Sequence, residues 1–144
     1  MSIRLKFEGF EDLLTDIQKA NGSINASTRK CMEKSANIMD KELKAQMQAS
    51  NVDAGLISAM NPPDIEENAN KVTARVGYKK GAYDPKNPSA GYKAVFLNYG
   101  TPNRTKHGKV EARGFIERAK KMAKRQIKNE QEQTLKDILK GLQK

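Results

Sequence analysis

The chain opens on a hydrophobic pattern with a period of two. In "SIRLKFEGF", apolar Ile3, Leu5 and Phe7 alternate with charged residues, which predicts a half-buried strand that ends at Gly9. Apolar residues then return at helical spacing in positions 10, 13, 14 and 17, which predicts a short amphipathic helix. The "NGS" at 21–23 ends that helix and offers a cap for the next one.

A long helix is predicted from about residue 24 to residue 49. Its apolar stripe recurs every three or four residues, at Ile24, Thr28, Cys31, Met32, Ser35, Ala36, Met39, Leu43 and Met47. Because Cys31 lies within the stripe, we expect it to be packed in the core rather than reactive. As the single cysteine, it also excludes an internal disulfide and a zinc site built from the cysteines of one chain.

The middle of the chain is less regular. Gly55 and the pair at 62–63, both proline, predict an irregular connection after the long helix. "KVTARVGYK" at 71–79 alternates again and predicts a second strand. Two prolines and two glycines at 80–91 predict a mobile hairpin tip or surface loop. "YKAVFLNYG" at 92–100 is short and apolar throughout, so its pattern leaves strand and helical turn equally open.

A second long helix is predicted to begin after Gly114. Its apolar positions are Phe115, Ala119, Met122, Ala123, Ile127, Leu135, Ile138, Leu139 and Leu142. The polar interval "KNEQEQT" at 128–134 weakens the stripe. We therefore expect residues 128–144 to form a C-terminal extension that projects beyond the domain and needs a partner for its apolar end.

These elements predict an α+β protein. A small antiparallel or mixed β-sheet is packed against two long α-helices, with a short N-terminal helix and mobile loops. The 144 residues are most economically one domain, 1–144. No apolar run approaches the roughly 18–20 residues of a membrane helix, so no membrane partner is expected. The first ten residues lack the apolar core of a secretory signal, which favours a cytoplasmic place of synthesis and assembly.

Positive charge is concentrated in the last third of the chain. Residues 101–144 hold 13 Lys and Arg against 5 Asp and Glu, so this segment carries +8 of the net +10. Two explanations of this concentration of positive charge stay equally open. It can belong to a solvated helix face, or it can attract nucleic acid or an acidic protein surface. Lys120, Lys121, Lys124 and Arg125 are the candidates for facing DNA, although no zinc-finger or RNA-recognition signature accompanies them.

The sequence offers little chemistry for catalysis. His107 is the sole histidine and lies among cations in "NRTKHGK", with no serine or cysteine nearby marked as a nucleophile. No cluster has metal-ligand spacing. "GTPNRTKHGK" at 100–109 lacks the fixed spacing of a phosphate-binding P-loop. We therefore predict no catalytic, cofactor-binding or metal-binding residues and no enzymatic activity.

Four loose motifs occur in a family-like order. Gly9, Phe10 and Leu13 follow the first strand, and "VDAGL" stands at 52–56. "FLNYGT" at 96–101 and the helix start "ARGFIERA" at 112–119 complete the series. In this order the chain resembles the tail-completion or head–tail joining proteins of tailed bacteriophages, the gene-product-ten-like family of lambdoid-type siphophages. It departs from the family pattern at Asn98, where a carboxylate is usual, at Ala54 for threonine and at Gly114 for the helix-starting proline. Because proline is favoured at a first helical position, we expect Gly114 to make this junction more flexible.

The resemblance implies a non-enzymatic virion component at the head–tail junction. Such a protein would form a homo-oligomeric ring, for instance a hexamer, and dock to connector or head-completion proteins and to tail-tube or tail-terminator proteins. A positive inner rim would face DNA in the neck channel. The residues that it assigns to subunit or partner contact are Asn98, Tyr99, Gly100, Thr101, Arg104, Arg113 and Phe115. The alternative, from the charge alone, is a basic non-specific nucleic-acid-binding accessory protein.

Overall fold

The computed structural model of the chain describes residues 2–6, 24–68, 71–79, 89–101 and 108–142. Within these residues the architecture is α+β, as predicted, with a small sheet and two long helices. In chain order the elements are β1 (Ser2–Lys6), α1 (Ile24–Ala49), α2 (Ala54–Ser58), β2 (Asn61–Asn68), β3 (Lys71–Gly77), α3 (Ala90–Tyr99) and α4 (Phe115–Leu142). The predicted helix at 10–17 and most of the predicted loop at 80–91 lie outside the described residues.

The described sheet is antiparallel and has the strand order β1-β3-β2. Ile3 of β1 lies opposite Val76 of β3, and Ala74 lies opposite Ile65 of β2. Since directly opposed residues share a face, these pairs place the apolar side chains on one side of the sheet. Helix α1 packs over β2 and β3. The alternation in "KVTARVGYK" therefore predicted the core face of the central strand correctly.

Strand β2 was missed by the sequence reading, which predicted an irregular connection there. The proline pair at 62–63 lies inside β2, where the register with β3 shifts between Asn61 and Asp64. Proline has no N–H to donate, and β2 is an edge strand of the described sheet, so the irregular start leaves the pairing of residues 64–68 intact. Ahead of β2, the short helix α2 begins where the Asp53 carboxylate accepts a hydrogen bond from Gly55 N at 3.1 Å.

From Thr28 to Met47 the stripe of α1 is buried as predicted, whereas the side chain of Ile24 lies outside what the structure describes. Its buried members are Thr28, Cys31, Met32, Ser35, Ala36, Met39, Leu43 and Met47. Cys31 is 2% exposed, and burial raises the pKa of its thiol, which keeps it in the unreactive form. Its Sγ donates to the carbonyl oxygen of Glu130 at 3.7 Å. Cys31 therefore packs between α1 and α4.

The two long helices are antiparallel and pack along their length. Arg118, early in α4, donates to the Gln46 side chain near the end of α1 at 3.3 Å. Glu130, farther along α4, pairs with Lys34 near the middle of α1 at 3.8 Å. Ile138 is buried in the same core cluster. In the segment 128–144, which was expected to project, α4 therefore still contacts the rest of the chain as far as residue 138.

Two positions in the predicted stripe of α4 face solvent instead. Met122 is 57% exposed and Leu139 is 42% exposed, while their neighbours Ala123 and Ile138 are buried. Consecutive helical residues point about 100° apart, so Met122 and Leu139 lie beside the buried stripe that contains Ala123 and Ile138 rather than within it. The undecided segment at 92–100 proves to be helical and forms most of α3.

Candidate subunit interface at the α3–α4 corner

Helix α3 buries small residues and exposes aromatic ones. Its buried positions are Gly91, Ala94 and Asn98, which recur at helical spacing. On the other side, Tyr92, Phe96 and Tyr99 are 37%, 42% and 61% exposed. These three stand at i, i+4 and i+7, so they form one face, called here the aromatic face. A helix in a single globular chain normally has the opposite arrangement, with its large apolar side chains turned inward.

A tight turn ends α3 at Gly100. Its φ is 77°, and its N–H donates to the carbonyl of Phe96 at 2.8 Å. A Cβ atom at this position would lie 2.7 Å from the carbonyl oxygen of Val110 and 2.9 Å from the nitrogen of Ala112. Positive φ and this close approach both require glycine.

Thr101 and Val110 hold the two ends of the basic loop together. Thr101 N donates to the Val110 carbonyl at 2.9 Å, and Val110 N donates back to Thr101 Oγ1 at 2.9 Å. The part of the loop between them that carries Arg104 and His107, residues 102–107, lies outside the described residues. The structure therefore places the base of the loop beside the end of α3 and leaves the predicted role of Arg104 as a prediction.

Asn98 ties the end of α3 to the start of α4. Its Oδ1 accepts a hydrogen bond from Ile116 N at 2.9 Å, and its backbone carbonyl accepts one from Gly114 N at 3.1 Å. Gly114, the residue before α4, has no side chain that could cap the helix, so Asn98 supplies the capping oxygen from a distant position. The Asn98 side chain is buried, and its Nδ2 has no hydrogen-bond partner among the described residues.

Gly114 itself is required by geometry. Its φ is 58°, a value that the ring of proline cannot adopt, and its N–H is used in the bond to Asn98. Glycine at this position thus has a conformational reason in this chain, and the flexibility expected from the resemblance stays a prediction.

Two predicted interface residues are internal in this chain. Asn98 is 1% exposed and Phe115 is 0% exposed, so neither presents a side chain to a partner. The interface prediction is corrected at these positions, because the first turn of α4 needs a cap from Asn98 and an apolar anchor from Phe115. Tyr99 is exposed, whereas Gly100 and Thr101 are partly exposed.

Arg113 acts at the end of α1. Its Nη1 donates to the carbonyl oxygens of Ser50 at 3.1 Å and Asn51 at 3.0 Å, just past the last residue of α1. Arg118 adds contacts to the Ser50 hydroxyl and, at 2.6 Å, to the carbonyl of Arg113. Cations are favoured at a helix C-terminus, where the unpaired carbonyls carry partial negative charge. The predicted contact residue Arg113 is thus engaged within the chain, and Arg118, which the sequence reading missed, supports it.

The four cations predicted to face DNA share the exposed side of α4. Lys120, Lys121, Lys124 and Arg125 are all exposed. Lys121, Lys124 and Arg125 follow helical spacing and form a band along one side. Ion pairs between described residues involve other cations, so these four face solvent with their charge unpaired there.

A concave surface lies at the outer face of the sheet. A cavity of about 550 Å³ is lined by residues that include Arg4, Asp64 and Arg75. Arg4 lies directly opposite Arg75, and Arg75 pairs with Glu66 at 3.5 Å. Cation and carboxylate thus offset one another at this surface.

Within the described part of the chain, no group of three or more potential ligands could hold a metal ion. None of the helices described there is both long enough and apolar enough to cross a membrane. Comparison with protein-family models, with curated proteins and with solved structures finds no match to the chain. The resemblance to tail-completion proteins therefore stays a prediction from the motifs.

The sequence alone led us to assign Tyr99 to subunit contact, a role that stays a prediction, and it did not lead us to single out Tyr92 and Phe96. Their signal was present in the spacing, since aromatic residues at 92, 96 and 99 fall on one helical face. This spacing identifies a shared face only in a helix, and the sequence left strand and helical turn equally open for residues 92–100.

Proposed function

We propose that this protein is a non-enzymatic bacteriophage structural protein that acts in virion assembly at the head–tail junction. It works by self-assembly into a ring and by docking to connector or head-completion proteins and to tail-tube or tail-terminator proteins. It is made and assembled in the cytoplasm of the host bacterium and ends in the virion.

The observation that carries this proposal is the reversed arrangement of α3. Exposed aromatic side chains lose favourable burial, and clusters of them on a protein surface mark contact sites. The aromatic face lies within and just before "FLNYGT", the segment that carries much of the family resemblance. The corner beneath it is held by Asn98 and Gly100, so the face is presented on a fixed support.

A ring requires that one patch of a subunit meet a different patch of the next, with closure setting the number of copies. The aromatic face and the exposed side of α4 are two such patches, with different chemistry. They support an assembly role better than a catalytic one, for which the described residues offer no paired acid, base or nucleophile.

Mass measurement is the first test. Light scattering over a range of concentrations, followed by negative-stain imaging, is expected to show assemblies larger than one chain and ring-shaped particles. The same measurement is repeated with the proteins encoded beside this gene, because a neck protein can assemble on its partner. A strictly monomeric protein that forms no ring even with those neighbours present contradicts the proposal.

The exposed cations of α4 favour one second function, non-specific binding of nucleic acid. Lys120, Lys121, Lys124 and Arg125 are exposed on a helix, an arrangement suited to phosphate contacts. This function predicts a mobility shift with DNA whose affinity falls steeply as salt rises. Reversal of the four charges to Glu is expected to abolish the shift, and retention of DNA by that variant rules this function out.

A further inference from the structure

We propose that the aromatic face of α3 docks on the exposed side of α4 in a second copy of the chain. The contact surface on α4 consists of Met122, Arg125 and Gln126, called here the α4 ridge. This inference rests on the self-assembly in the proposed function and names the two surfaces that meet.

The α4 ridge is open in the single chain. Met122 is 57% exposed, and Arg125 and Gln126 are also exposed. The three stand at i, i+3 and i+4, so they are neighbours on the helix surface. Exposed methionines are common at adaptable binding surfaces. The exposed Met122 beside the guanidinium of Arg125 is therefore more typical of a contact surface than of a surface that faces only solvent.

The two surfaces are chemically complementary. Methionine sulfur is attracted to aromatic rings, and a guanidinium binds over the face of tyrosine or phenylalanine. The aromatic face supplies three such rings within one short helix. At the end of this face, the exposed hydroxyl of Tyr99 offers a hydrogen-bond partner to Gln126 or Arg125.

Charge also favours this pairing between copies. A chain with a net charge of +10 repels its own copies, so a stable contact must place cations against an uncharged or acidic surface. The aromatic face carries no charge, and Lys93 is the one charged residue of α3. The basic side of α4 can approach it without opposing a second cluster of cations.

The contact is expected to be heterologous. Each copy carries both surfaces, and both are exposed within one chain, so the α4 ridge of one copy meets the aromatic face of the next. Pairing of two aromatic faces would instead close a dimer and leave the α4 ridge open.

The area of the aromatic face determines how strongly two copies are expected to bind each other. With exposures of 37%, 42% and 61%, the aromatic face offers roughly 300 Å² for burial. A stable pairwise interface buries about 800 Å² on each partner. Two free copies are therefore expected to associate weakly, and closure of a ring supplies the additional contacts.

Disulfide trapping tests this pairing. Tyr99→Cys and Met122→Cys are made separately in the full chain, where the native Cys31 is buried and stays out of the reaction. After mild oxidation, an equal mixture is expected to give a disulfide-linked dimer that neither variant gives alone. The double variant is expected to give a ladder of larger species, because each copy then carries both halves of the contact.

Leu139→Cys is the matched control, since Leu139 is also an exposed apolar residue of α4 but lies far along the helix from the ridge. It is expected not to trap with Tyr99→Cys. Assembly by light scattering without the mixed dimer overturns this inference alone and leaves the proposed function standing. A dimer from Tyr99→Cys by itself overturns it in favour of paired aromatic faces. A chain that never assembles overturns both.

Discussion

Asn98 connects two helices through one side chain. It caps the first turn of α4 with Oδ1 while its own backbone belongs to the last turn of α3. We expect the stability of the α3–α4 corner to depend on this contact more than on the exposed side chain of the neighbouring Tyr99.

We therefore expect Asn98→Ala to lower the free energy of unfolding by about 1–2 kcal/mol, through loss of a helix cap and of a buried hydrogen bond. Tyr99→Ala is the control, because that side chain is 61% exposed and its removal is expected to change stability by less than about 0.5 kcal/mol. Urea unfolding followed by circular dichroism measures both. Equal losses in the two variants would mean that the cap contributes nothing.

Gly100 and Gly108 differ in why the chain requires glycine there. Both have positive φ, 77° and 82°, but a Cβ atom at Gly100 meets backbone atoms whereas one at Gly108 meets nothing within 4 Å. Gly108→Ala is expected to lose about 1 kcal/mol from the positive φ. Gly100→Ala is expected to lose more, because its φ of 77° with ψ of 176° is open almost only to glycine and because of the added clash. The difference between their urea midpoints, at equal slope, measures these two effects together. A Gly108→Ala variant that is the less stable of the two contradicts this.

Tyr78 predicts a dependence of stability on pH. Its hydroxyl donates to the carbonyl of Leu56, and burial raises its pKa to about 12. Because the folded pKa exceeds the unfolded value of about 10, this contribution is fully present below pH 10 and is lost as the pH rises toward 12.

Tyr78→Phe is therefore expected to be less stable at pH 8, where it lacks the hydrogen bond, and to show a shallower loss of stability above pH 10. Chemical unfolding across that range gives the slope for each protein. Tyr99→Phe, at an exposed site, serves as control and is expected to follow the native slope. If Tyr78→Phe loses stability above pH 10 as steeply as the native protein does, the buried hydroxyl is not the cause of that loss.

At the scale of elements, the end of α1 is held by cations from the other end of the chain. Arg113 reaches the carbonyls of Ser50 and Asn51, and Arg118 reaches Ser50. Arg113→Ala is expected to lower stability by about 1–2 kcal/mol, since charged donors make the stronger hydrogen bonds to these carbonyls. Thermal melts compare it with Lys124→Ala, a cation on the exposed side of α4 that is expected to change stability by less than about 0.5 kcal/mol. If the two variants melt together, the arginine does not fasten α1.

The elements also differ in how far the sequence could predict them. Helix α1 was predicted closely because its stripe is long and regular, and the members of the stripe from Thr28 to Met47 are buried. Strand β2 was missed because two prolines normally argue against a strand, and only its edge position makes them acceptable. Helix α3 had no usable period, since its small residues face inward and its aromatic ones outward. The contact of Arg113 with Ser50 joins residues far apart in the chain and has no local signal.

At the scale of the whole molecule, stability and association are expected to depend on different residues. Phe96→Ser is expected to weaken self-association strongly while it lowers the unfolding free energy by only about 1 kcal/mol, because the ring is already 42% exposed in the single chain. Leu139→Ser is the control, since Leu139 has the same exposure on another helix. Sedimentation velocity at several concentrations compares the two. Loss of association in Leu139→Ser alone would place the contact on the distal part of α4.

The prolines of β2 affect whether further strands can add to this edge of the sheet. An open strand edge is a template on which further strands can add without limit, and this route leads to fibres. At residues 62 and 63 the edge has no N–H donors, and the neighbouring register is irregular. Backbone-to-backbone extension is discouraged at this part of the edge, and the contact proposed between copies uses side chains on helices instead. Contacts of that kind have fixed angles, and fixed angles allow an assembly to stop at a finite number of members.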